Sequence, residues 1–363
     1  MVKTKGHTPK LSKKFYPFVS ICTPTFNRRP FIQTMLQCFH NQTYPKNRME
    51  WIIVDDGTDK VEDLIQSSNI EQIKYYKCDK KMSLGEKRNY MHKFVKGTII
   101  VYMDDDDYYP PERVSHAVER LQETPEAMCA GSSEIYVYFK HIEKMYQFGP
   151  YGSKHATAGT FAFRTELLKS TCYEDSAALA EEKKFLKDYT VPFVQLDPLK
   201  TILVFSHIHN TFDKRHLLKT ADNQFQKQST VKVDDFIRTE GEASIKDFFM
   251  NNIDGMLAKY KPGEPANKPD VLEQIKKLEL QRAEMAMKHQ QSQKDMKITM
   301  NNSDGKSVQM SLDDMNKLFN YQKLELNKMN ETNQSLENMV FQLQQQLALK
   351  SEELCQMKSK STI

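Results

Sequence analysis

Short apolar runs rich in β-branched residues alternate, over the first part of the chain, with segments whose apolar residues recur at helical spacing. The runs cover residues 18–23, 51–54, 73–77 and 98–103. The segment 30–41 shows the helical pattern clearly, with apolar residues three or four positions apart. Strands and helices in alternation predict a parallel sheet with right-handed crossover connections.

Polar residues follow three of these predicted strands at the point where each strand ends. They are Thr25 and Asn27, then Asp55 and Asp56, then Asp104 to Asp107. The carboxyl ends of parallel strands meet at one edge of a sheet, where open α/β sheets place their ligand crevice. We therefore expect these side chains to line one site.

The four consecutive aspartates, Asp104 to Asp107, carry the strongest chemical signal. Ionised carboxylates are not buried unpaired, and like charges this close repel one another. A divalent cation would neutralise them, and oxygen-only ligands indicate a hard ion, Mg²⁺ or Mn²⁺, that carries phosphates. A solvated acidic loop that follows a strand is the alternative.

The C-terminal part has a different pattern. From Leu312 to Met357, mostly apolar positions recur at alternating intervals of three and four, with Asn333 in the same seam. This spacing predicts a coiled coil that joins copies of the chain through residues 312–357, and Asn333 could fix its register. One long helix folded against the rest of the chain is the alternative. Residues 301–305 predict a turn between two short strands.

These patterns divide the chain into four parts. We expect a flexible basic N-terminus at residues 1–16, an α/β domain at 17–235, an amphipathic helix at 236–262 that packs on that domain, and a helical region at 263–363. The proline-rich stretch 262–269 reads as a linker.

Charge and cysteines restrict the class of protein. The net charge is +4, with acids and bases nearly balanced, which argues against a nucleic-acid protein held by bulk electrostatics. The six cysteines are scattered without a CxxC pair, so neither a zinc site nor a disulfide framework is indicated. No apolar run of about eighteen residues is present. We expect a soluble cytoplasmic protein, in the host cytoplasm if it is viral.

Four motifs stand in order within residues 17–215: Pro-Thr-Phe-Asn-Arg at 24–28, Ile-Val-Asp-Asp-Gly-Thr-Asp at 53–59, Lys-Arg-Asn at 87–89 and Met-Asp-x-Asp-Asp-x-x-x-Pro-x-Arg at 103–113. Together they resemble the GT-A glycosyltransferases of the large inverting family 2. A Rossmann dehydrogenase is the rival, but no G-x-G-x-x-G follows the first strand. The fold class implied is α/β, with a GT-A (Rossmann-like, mostly parallel sheet) domain followed by an α-helical coiled-coil region.

The resemblance implies a donor site for a nucleotide sugar. Its residues would be Pro24, Thr25, Asn27, Arg28, Asp55, Asp56, Lys87, Arg88, Asp104 and Asp105. Asp56 would accept the uracil N3 proton, and Arg88, with Lys87 as second choice, would approach the diphosphate. A simple turn at 55–57 and exposed helix charges at 87–88 are the alternatives.

The resemblance also implies a metal site. Asp104 and Asp106 would form the DxD pair, with Asp106 as direct ligand, while Asp105 departs from the small residue common there. His207 and His209 lie two apart in a strand predicted at residues 203–209, so both could face the site as metal ligands or diphosphate contacts. A hydrogen-bonded structural histidine is the alternative for each.

An inverting transfer needs a carboxylate that takes the acceptor proton. The family places this base in an acidic pair that opens a helix, which implies Glu182 first and Glu181 second, at the start of a helix at 182–188. Acids that complement the helix dipole are the alternative.

The sequence thus predicts a metal-dependent glycosyltransferase that moves a sugar from a nucleotide-sugar donor, UDP-sugar first, to a hydroxyl acceptor on a glycan or protein-linked glycan, with inversion. A nucleotidyltransferase using nucleoside triphosphate, and a coiled-coil scaffold with an inactive GT-A domain, are the alternatives. The sugar, the acceptor and the oligomer number are not predicted.

Overall fold

The computed structural model describes residues 15–178, 181–210, 212–219, 224–295, 297–301 and 307–360. The chain divides into two compact units, Met1–Lys277 and Leu278–Ile363. Nearly all of the predicted basic N-terminus lies outside the described residues, as does most of the turn predicted at 301–305.

The strands are β1 Val19–Thr25, β2 Met49–Asp55, β3 Ile73–Lys77, β4 Ile99–Tyr102, β5 Cys129–Gly131, β6 Ile135–Phe139, β7 Lys144–Phe148, β8 Ala162–Arg164, β9 Phe193–Gln195, β10 Leu203–Ser206, β11 Gln226–Gln228, β12 Lys297–Asn301 and β13 Ser307–Ser311. The helices are α1 Arg29–His40, α2 Glu62–Ser67, α3 Leu84–His92, α4 Arg113–Glu123, α5 Glu182–Phe185, α6 Val233–Phe236, α7 Ala243–Asp247, α8 Ile253–Leu257, α9 Pro269–Asp295 and α10 Leu312–Lys360.

A seven-stranded sheet with the order β3-β2-β1-β4-β8-β5-β9 forms the centre of the first unit. Strands β3, β2, β1 and β4 are parallel, whereas β8 runs antiparallel to both of its neighbours. This is an α/β, GT-A-like fold with a mostly parallel sheet, as the sequence predicts. Because β1 lies between β2 and β4, the three polar strand ends are adjacent.

A second sheet, β10-β6-β7-β11, lies beside the first in the same unit. Strands β5 and β6 are close in sequence but belong to different sheets, because β5 ends at Gly131 and β6 begins at Ile135. Between them, the amides of Ser132 and Ser133 donate to the side chains of Thr160 and Gln195 at 3.0 and 2.9 Å. Side chains satisfy these two amides, so the chain can change sheets here.

The core under the strand ends is tied together by side chains. Trp51 stacks on Phe39 with ring centroids 4.5 Å apart, and its Nε1 donates to Thr23 Oγ1 at 2.8 Å. The Thr23 hydroxyl donates in turn to the carbonyl of Met103 at 2.6 Å. These bonds fix the last residue before the acidic run relative to β1 and β2.

A buried arginine fixes the other side of the acidic run. Arg113 is fully buried, and its Nη2 lies 2.8–3.0 Å from the carbonyl oxygens of Tyr102, Thr160 and Phe161. A guanidinium always carries N–H donors, so Arg113 can hydrogen-bond backbone carbonyls that have no strand partner beyond the end of β4. The motif arginine therefore positions the strand end rather than facing the cleft.

The amphipathic helix predicted at residues 236–262 is interrupted. Helices α7 and α8 flank a π-helical turn at Phe248–Asn252. Its buried residues, Ile245, Phe249, Ile253 and Leu257, recur every four positions, and the ring of Phe249 stacks on Phe205 of β10 at 4.3 Å.

The second unit contains an antiparallel hairpin and a long helix. Strands β12 and β13 pair from Lys297 opposite Ser311 to Asn301 opposite Ser307, so two short strands flank the predicted turn. Helix α10 spans 49 residues, which confirms a C-terminal helix but not a coiled coil. Across the described residues, every helix is too short or too polar to cross a membrane.

Candidate active site

The carboxyl ends of β1, β2 and β4 open onto two hollows. One is an open cleft whose lining includes Pro24, Arg28, Lys87, Arg88 and the acids Asp104 to Asp106. The other is lined by Asn27, Asp56 and Gly57 on the strand-end side, and Phe26 and Lys81 border both hollows. The structure thus brings most of the predicted donor residues to one edge of the sheet.

Two of the four aspartates pair with an arginine of the first motif. Arg28 Nη2 lies 3.0 Å from Asp106 Oδ2, and its Nε lies 3.5 Å from Asp105 Oδ1. Burial alone would raise the pKa of Asp106, but Arg28 and His207 hold it well below its usual range. Burial raises the pKa of Asp105 to about 7 despite Arg28. Asp106 is therefore the member of the run that is most firmly ionised.

Three oxygens of the acidic run, Asp104 Oδ1, Asp105 Oδ2 and Asp107 Oδ1, are buried and have no hydrogen-bond partner among the described residues. Buried polar atoms nearly always have a hydrogen-bond partner, so these three carboxylate oxygens are candidate ligand atoms for a bound cation. Within the described residues, no group of three or more His, Cys, Asp or Glu side chains is placed to hold a metal ion by itself. This donor set suits Mg²⁺ or Mn²⁺, which often take one or two carboxylates and complete their shell with substrate phosphates and water.

A glycine allows close approach to the first aspartate. A Cβ built on Gly159 would lie 2.8 Å from Asp104 Oδ2, so a side chain here would displace the carboxylate. The hydroxyl of Tyr109 accepts from the Asp104 amide at 2.7 Å and donates to the Gly159 carbonyl at 3.3 Å. The segment 158–160 is thus fixed beneath the start of the acidic run.

Arg88 links the acidic run to the predicted catalytic pair. It is 2% exposed, and its Nη2 lies 3.1 Å from Glu181 Oε1 and 3.9 Å from Asp104 Oδ1. The guanidinium also lies 4.3 Å from the centre of the Tyr102 ring. Its Nε and Nη1 have no hydrogen-bond partner, which leaves donors at the cleft wall. The predicted alternative of an exposed helix charge is excluded for Arg88 by its burial.

The two glutamates occupy different environments. Glu181 is buried in the ion pair with Arg88, whereas burial, and then the charge of Glu181, raise the pKa of Glu182 to about 7. A carboxylate with a pKa near neutrality can take a proton from an acceptor hydroxyl and release it again. The helix predicted at 182–188 ends at Phe185, because Lys187, Asp188 and Tyr189 adopt positive φ. A helix of a single turn has a weak dipole, which disfavours the alternative that the two glutamates only complement the helix dipole.

The acids after β2 have separate roles. Asp55 Oδ1 accepts from the Gly57 amide at 2.9 Å, and its Oδ2 accepts from Tyr75 at 2.6 Å, so Asp55 closes the turn. Asp56 pairs with Lys87 and accepts from the Met82 amide at 2.6 Å. Each carboxylate oxygen has a second lone pair, so Asp56 can still accept a base N–H. Contacts of both acids to a nucleotide stay predictions.

The residues after β1 bind other parts of the chain. Thr25 is buried, and its carbonyl accepts from Lys87 Nζ at 3.1 Å. Asn27 has a φ of 52°, accepts from the Asp59 amide at 2.9 Å and donates to the carbonyl of Pro262 at 2.9 Å. Asn27 therefore holds a segment far along the chain against the site.

The sequence predicted that His207 and His209 lie on one face of a strand, but the structure places them beyond the end of that strand. Strand β10 ends at Ser206, and the Asn210 amide donates to the His207 carbonyl at 3.1 Å, which closes a turn. His207 Nε2 lies 3.4 Å from Asp106 Oδ2, and burial lowers the pKa of His207 to about 3, so the ring is neutral. Its Nδ1 accepts from the His209 amide at 3.2 Å, so Nε2 carries the proton. His207 would have to give up one of these contacts to bind a metal. His209 Nδ1 instead faces Gly263, where a Cβ would lie 2.7 Å away. Only His207 faces the acidic run.

Sequence reasoning missed one wall of the site. Residues 261–271, here called the strap, include the stretch predicted to be a linker. Lys268 is 5% exposed and, with Asp270 and Val271, lines the cleft of the acidic run. The sequence did contain a signal for this wall, namely the three prolines of the strap at 262, 265 and 269. Prolines stiffen a segment and do not make it flexible.

Comparisons with known proteins agree with the motif order. Residues 20–184, somewhat less than half of the chain, match the model of the family described as glycosyl transferase family 2. An uncharacterized glycosyltransferase of Rickettsia bellii is 34% identical over 109 residues, which cover 30% of this chain and 15% of that protein. The dolichyl N-acetyl-alpha-D-glucosaminyl phosphate 3-beta-D-2,3-diacetamido-2,3-dideoxy-beta-D-glucuronosyltransferase of Methanococcus voltae is 38% identical over 85 residues, 22% of this chain and 24% of that protein.

Among solved structures, residues 1–349 of TarS from S. aureus in complex with UDP-GlcNAc are 20% identical to this chain, with a TM-score of 0.40. The match covers 52% of this chain and 58% of that one. The chain spans well under half of the length of the two curated relatives named above. The matched region ends at residue 184, before β9, β10 and the strap.

Proposed function

We propose that this chain, whose residues 20–184 form a family 2 glycosyltransferase domain, moves a sugar from a nucleotide-sugar donor, UDP-sugar first, to a hydroxyl acceptor with inversion. The observation that carries the proposal is the meeting of three strand ends at a cleft with buried, unpartnered carboxylate oxygens. The acceptor would be a glycan or a protein-linked glycan.

Mn²⁺ or Mg²⁺ would be held by Asp104 and Asp106, with neutral His207 as a further candidate ligand. When bound, such an ion neutralises the charge that develops on the leaving nucleoside diphosphate. Arg88 lines the same cleft, and two of its nitrogens have no hydrogen-bond partner among the described residues, so their N–H groups suit phosphate oxygens. Asp56, in the neighbouring hollow, would accept the N3 proton of uracil.

Glu182 would act as the base. Its ionised form accepts the proton of the acceptor hydroxyl as that oxygen attacks the anomeric carbon on the face opposite the departing diphosphate. Glu181, already paired with Arg88, would hold the guanidinium between the base and the acidic run.

Thermal unfolding with a panel of nucleotide sugars tests the donor class. With Mn²⁺ present, a UDP-sugar should raise the Tm, because a ligand at a hundred times its Kd adds about 2.7 kcal/mol to the free energy of unfolding. EDTA should remove most of that shift, and the nucleoside diphosphate released during turnover identifies the reaction. A Tm that responds to nucleoside triphosphates alone, with release of pyrophosphate, would instead favour a nucleotidyltransferase.

Helix α10 supports a proposal of self-association. Its seam residues Phe319, Leu326, Met329, Leu336, Val340, Leu343 and Leu347 are all at least half exposed. An apolar stripe with this spacing along such a long helix is stable in water when a second helix covers it, and the same stripe on a second copy fits it. We expect a homodimer through residues 312–357.

Light scattering during gel filtration tests this proposal. The full chain should show twice its 42.4 kDa mass. Leu336→Glu combined with Leu343→Glu should yield single chains, because charges in the seam remove apolar contact. The matched control, Asn338→Glu with Gln345→Glu, adds the same charge outside the seam and should stay dimeric. A wild-type chain of single mass, or a seam variant that remains dimeric, would contradict the proposal.

A further inference from the structure

The strap, residues 261–271, is held against the candidate site from both ends. At its start, the Pro262 carbonyl accepts from Asn27 Nδ2 at 2.9 Å. At its end, Asp270 Oδ1 lies 2.6 Å from Lys81 Nζ, and Val271 is 6% exposed. The strap is therefore a packed part of the first unit rather than a free connection.

Close approach of the backbone supports the same conclusion. A Cβ on Gly263 would lie 2.7 Å from His209 Nδ1 and 2.9 Å from the carbonyl oxygen of Asn27. Contacts this short are possible only for glycine, so the strap lies directly on the residues that follow β1 and β10.

Successive strap residues line different hollows. Asn267 and Pro269 line the hollow that contains Asp56, whereas Lys268 and Asp270 line the cleft of the acidic run. The strap thus runs between the pocket proposed for the uracil ring and the cleft proposed for the metal ion. In a nucleoside diphosphate, the ribose and the phosphate attached to it connect the nucleobase to the metal-bound end.

The charged residues that line the cleft with Lys268 indicate a function for this lysine. Lys268 is almost fully buried in a cleft lined by four other basic residues, Arg28, Lys81, Lys87 and Arg88. Burial, and then the charge of Arg28, lower the pKa of Lys268 to about 7. Neighbouring positive charges disfavour the charged form of a lysine, whereas a bound anion favours it. The five basic residues of the lining face four aspartates, so with one divalent cation the positive charges exceed the negative ones and can offset the charge of a diphosphate.

We propose that the strap is part of the donor site and that Lys268 is a diphosphate-binding residue, its Nζ donating to a phosphate oxygen. This inference rests on the proposed function. It assigns donor recognition to a segment that begins 77 residues after the family match ends at residue 184.

Binding measurements on the full chain with Mg²⁺ test the role of Lys268. Lys268→Gln should weaken UDP binding by about 10- to 100-fold, the range expected for a charged hydrogen bond in a buried site. Binding of uridine, which has no phosphates, should change less than about twofold, because the lost interaction is with phosphate alone. Lys268→Arg should recover most of the loss, and Lys259→Gln, at an exposed lysine just before the strap, should bind UDP like the wild type.

The outcomes separate the two proposals. If Lys268→Gln binds UDP as tightly as the wild type does, the inference is wrong and the donor class stands. If it weakens uridine and UDP equally, the effect is not on phosphate and the inference is again wrong. A wild-type chain that binds neither UDP nor GDP would overturn the proposed function itself.

Discussion

Glu182→Gln should lower kcat by about 10³-fold and leave the KM for the donor within about threefold, in line with the loss of a general base that does not hold the donor. Glutamine keeps the size of the side chain but cannot accept a proton at neutral pH. Product formation from a radiolabelled donor measures the change. A variant with near-normal turnover would remove Glu182 from the mechanism.

The pH profile gives an independent test of the same residue. Burial raises the pKa of Glu182 to about 7, and only its ionised form acts as a base. Activity of the wild type should therefore rise as the pH increases through about 7 and level off above it. Glu181→Gln is the matched control, because it removes the neighbouring charge but keeps the base. Its profile should still rise with pH, with the midpoint moved to lower pH.

Asp106→Asn should reduce turnover by about 10³-fold, comparable to the loss of a major electrostatic contact in a transition state. It should also abolish the Tm increase that Mn²⁺ with UDP gives the wild type. Asparagine has the same shape but lacks the charge that binds the cation. Asp106 is the most firmly ionised of the four aspartates, so its loss should matter most.

Asp188→Asn is a suitable control, because this aspartate is exposed and lies outside the cleft. It should retain both the activity and the thermal response. If Asp106→Asn keeps the response to Mn²⁺ with UDP, the cation lies elsewhere. Asp104→Asn is then the next variant to measure, because its Oδ1 is buried without a partner.

The sequence predicted the parts of the fold that depend on local pattern. β-Branched runs located β1 to β4, and their alternation with helices gave the parallel order, so Thr25, Asp56 and Asp104 could be assigned to one edge. The acidic pair at 181–182 was chosen from the family resemblance, and its catalytic role stays a prediction. The structure adds that Arg88 connects this pair to Asp104, a link between residues distant in sequence.

What sequence reasoning missed depends on long-range contacts. Nothing near Arg28 indicates that it pairs with Asp105 and Asp106, since the partners lie more than seventy positions away. His209 was expected to face the site because strand alternation was extended past Ser206, where a turn replaces it. Lys268 was missed because prolines were read as a linker, although a stiff segment can also pack.

The contribution of the strap changes how the protein should be dissected. A fragment that stops at residue 260 would contain the whole region of family similarity, the acidic run and both glutamates. It would nevertheless lack Lys268, Asp270 and the carbonyl that Asn27 binds. Because one wall of the cleft would be missing, loss of activity on such shortening would be no evidence that the N-terminal domain is an inactive relic.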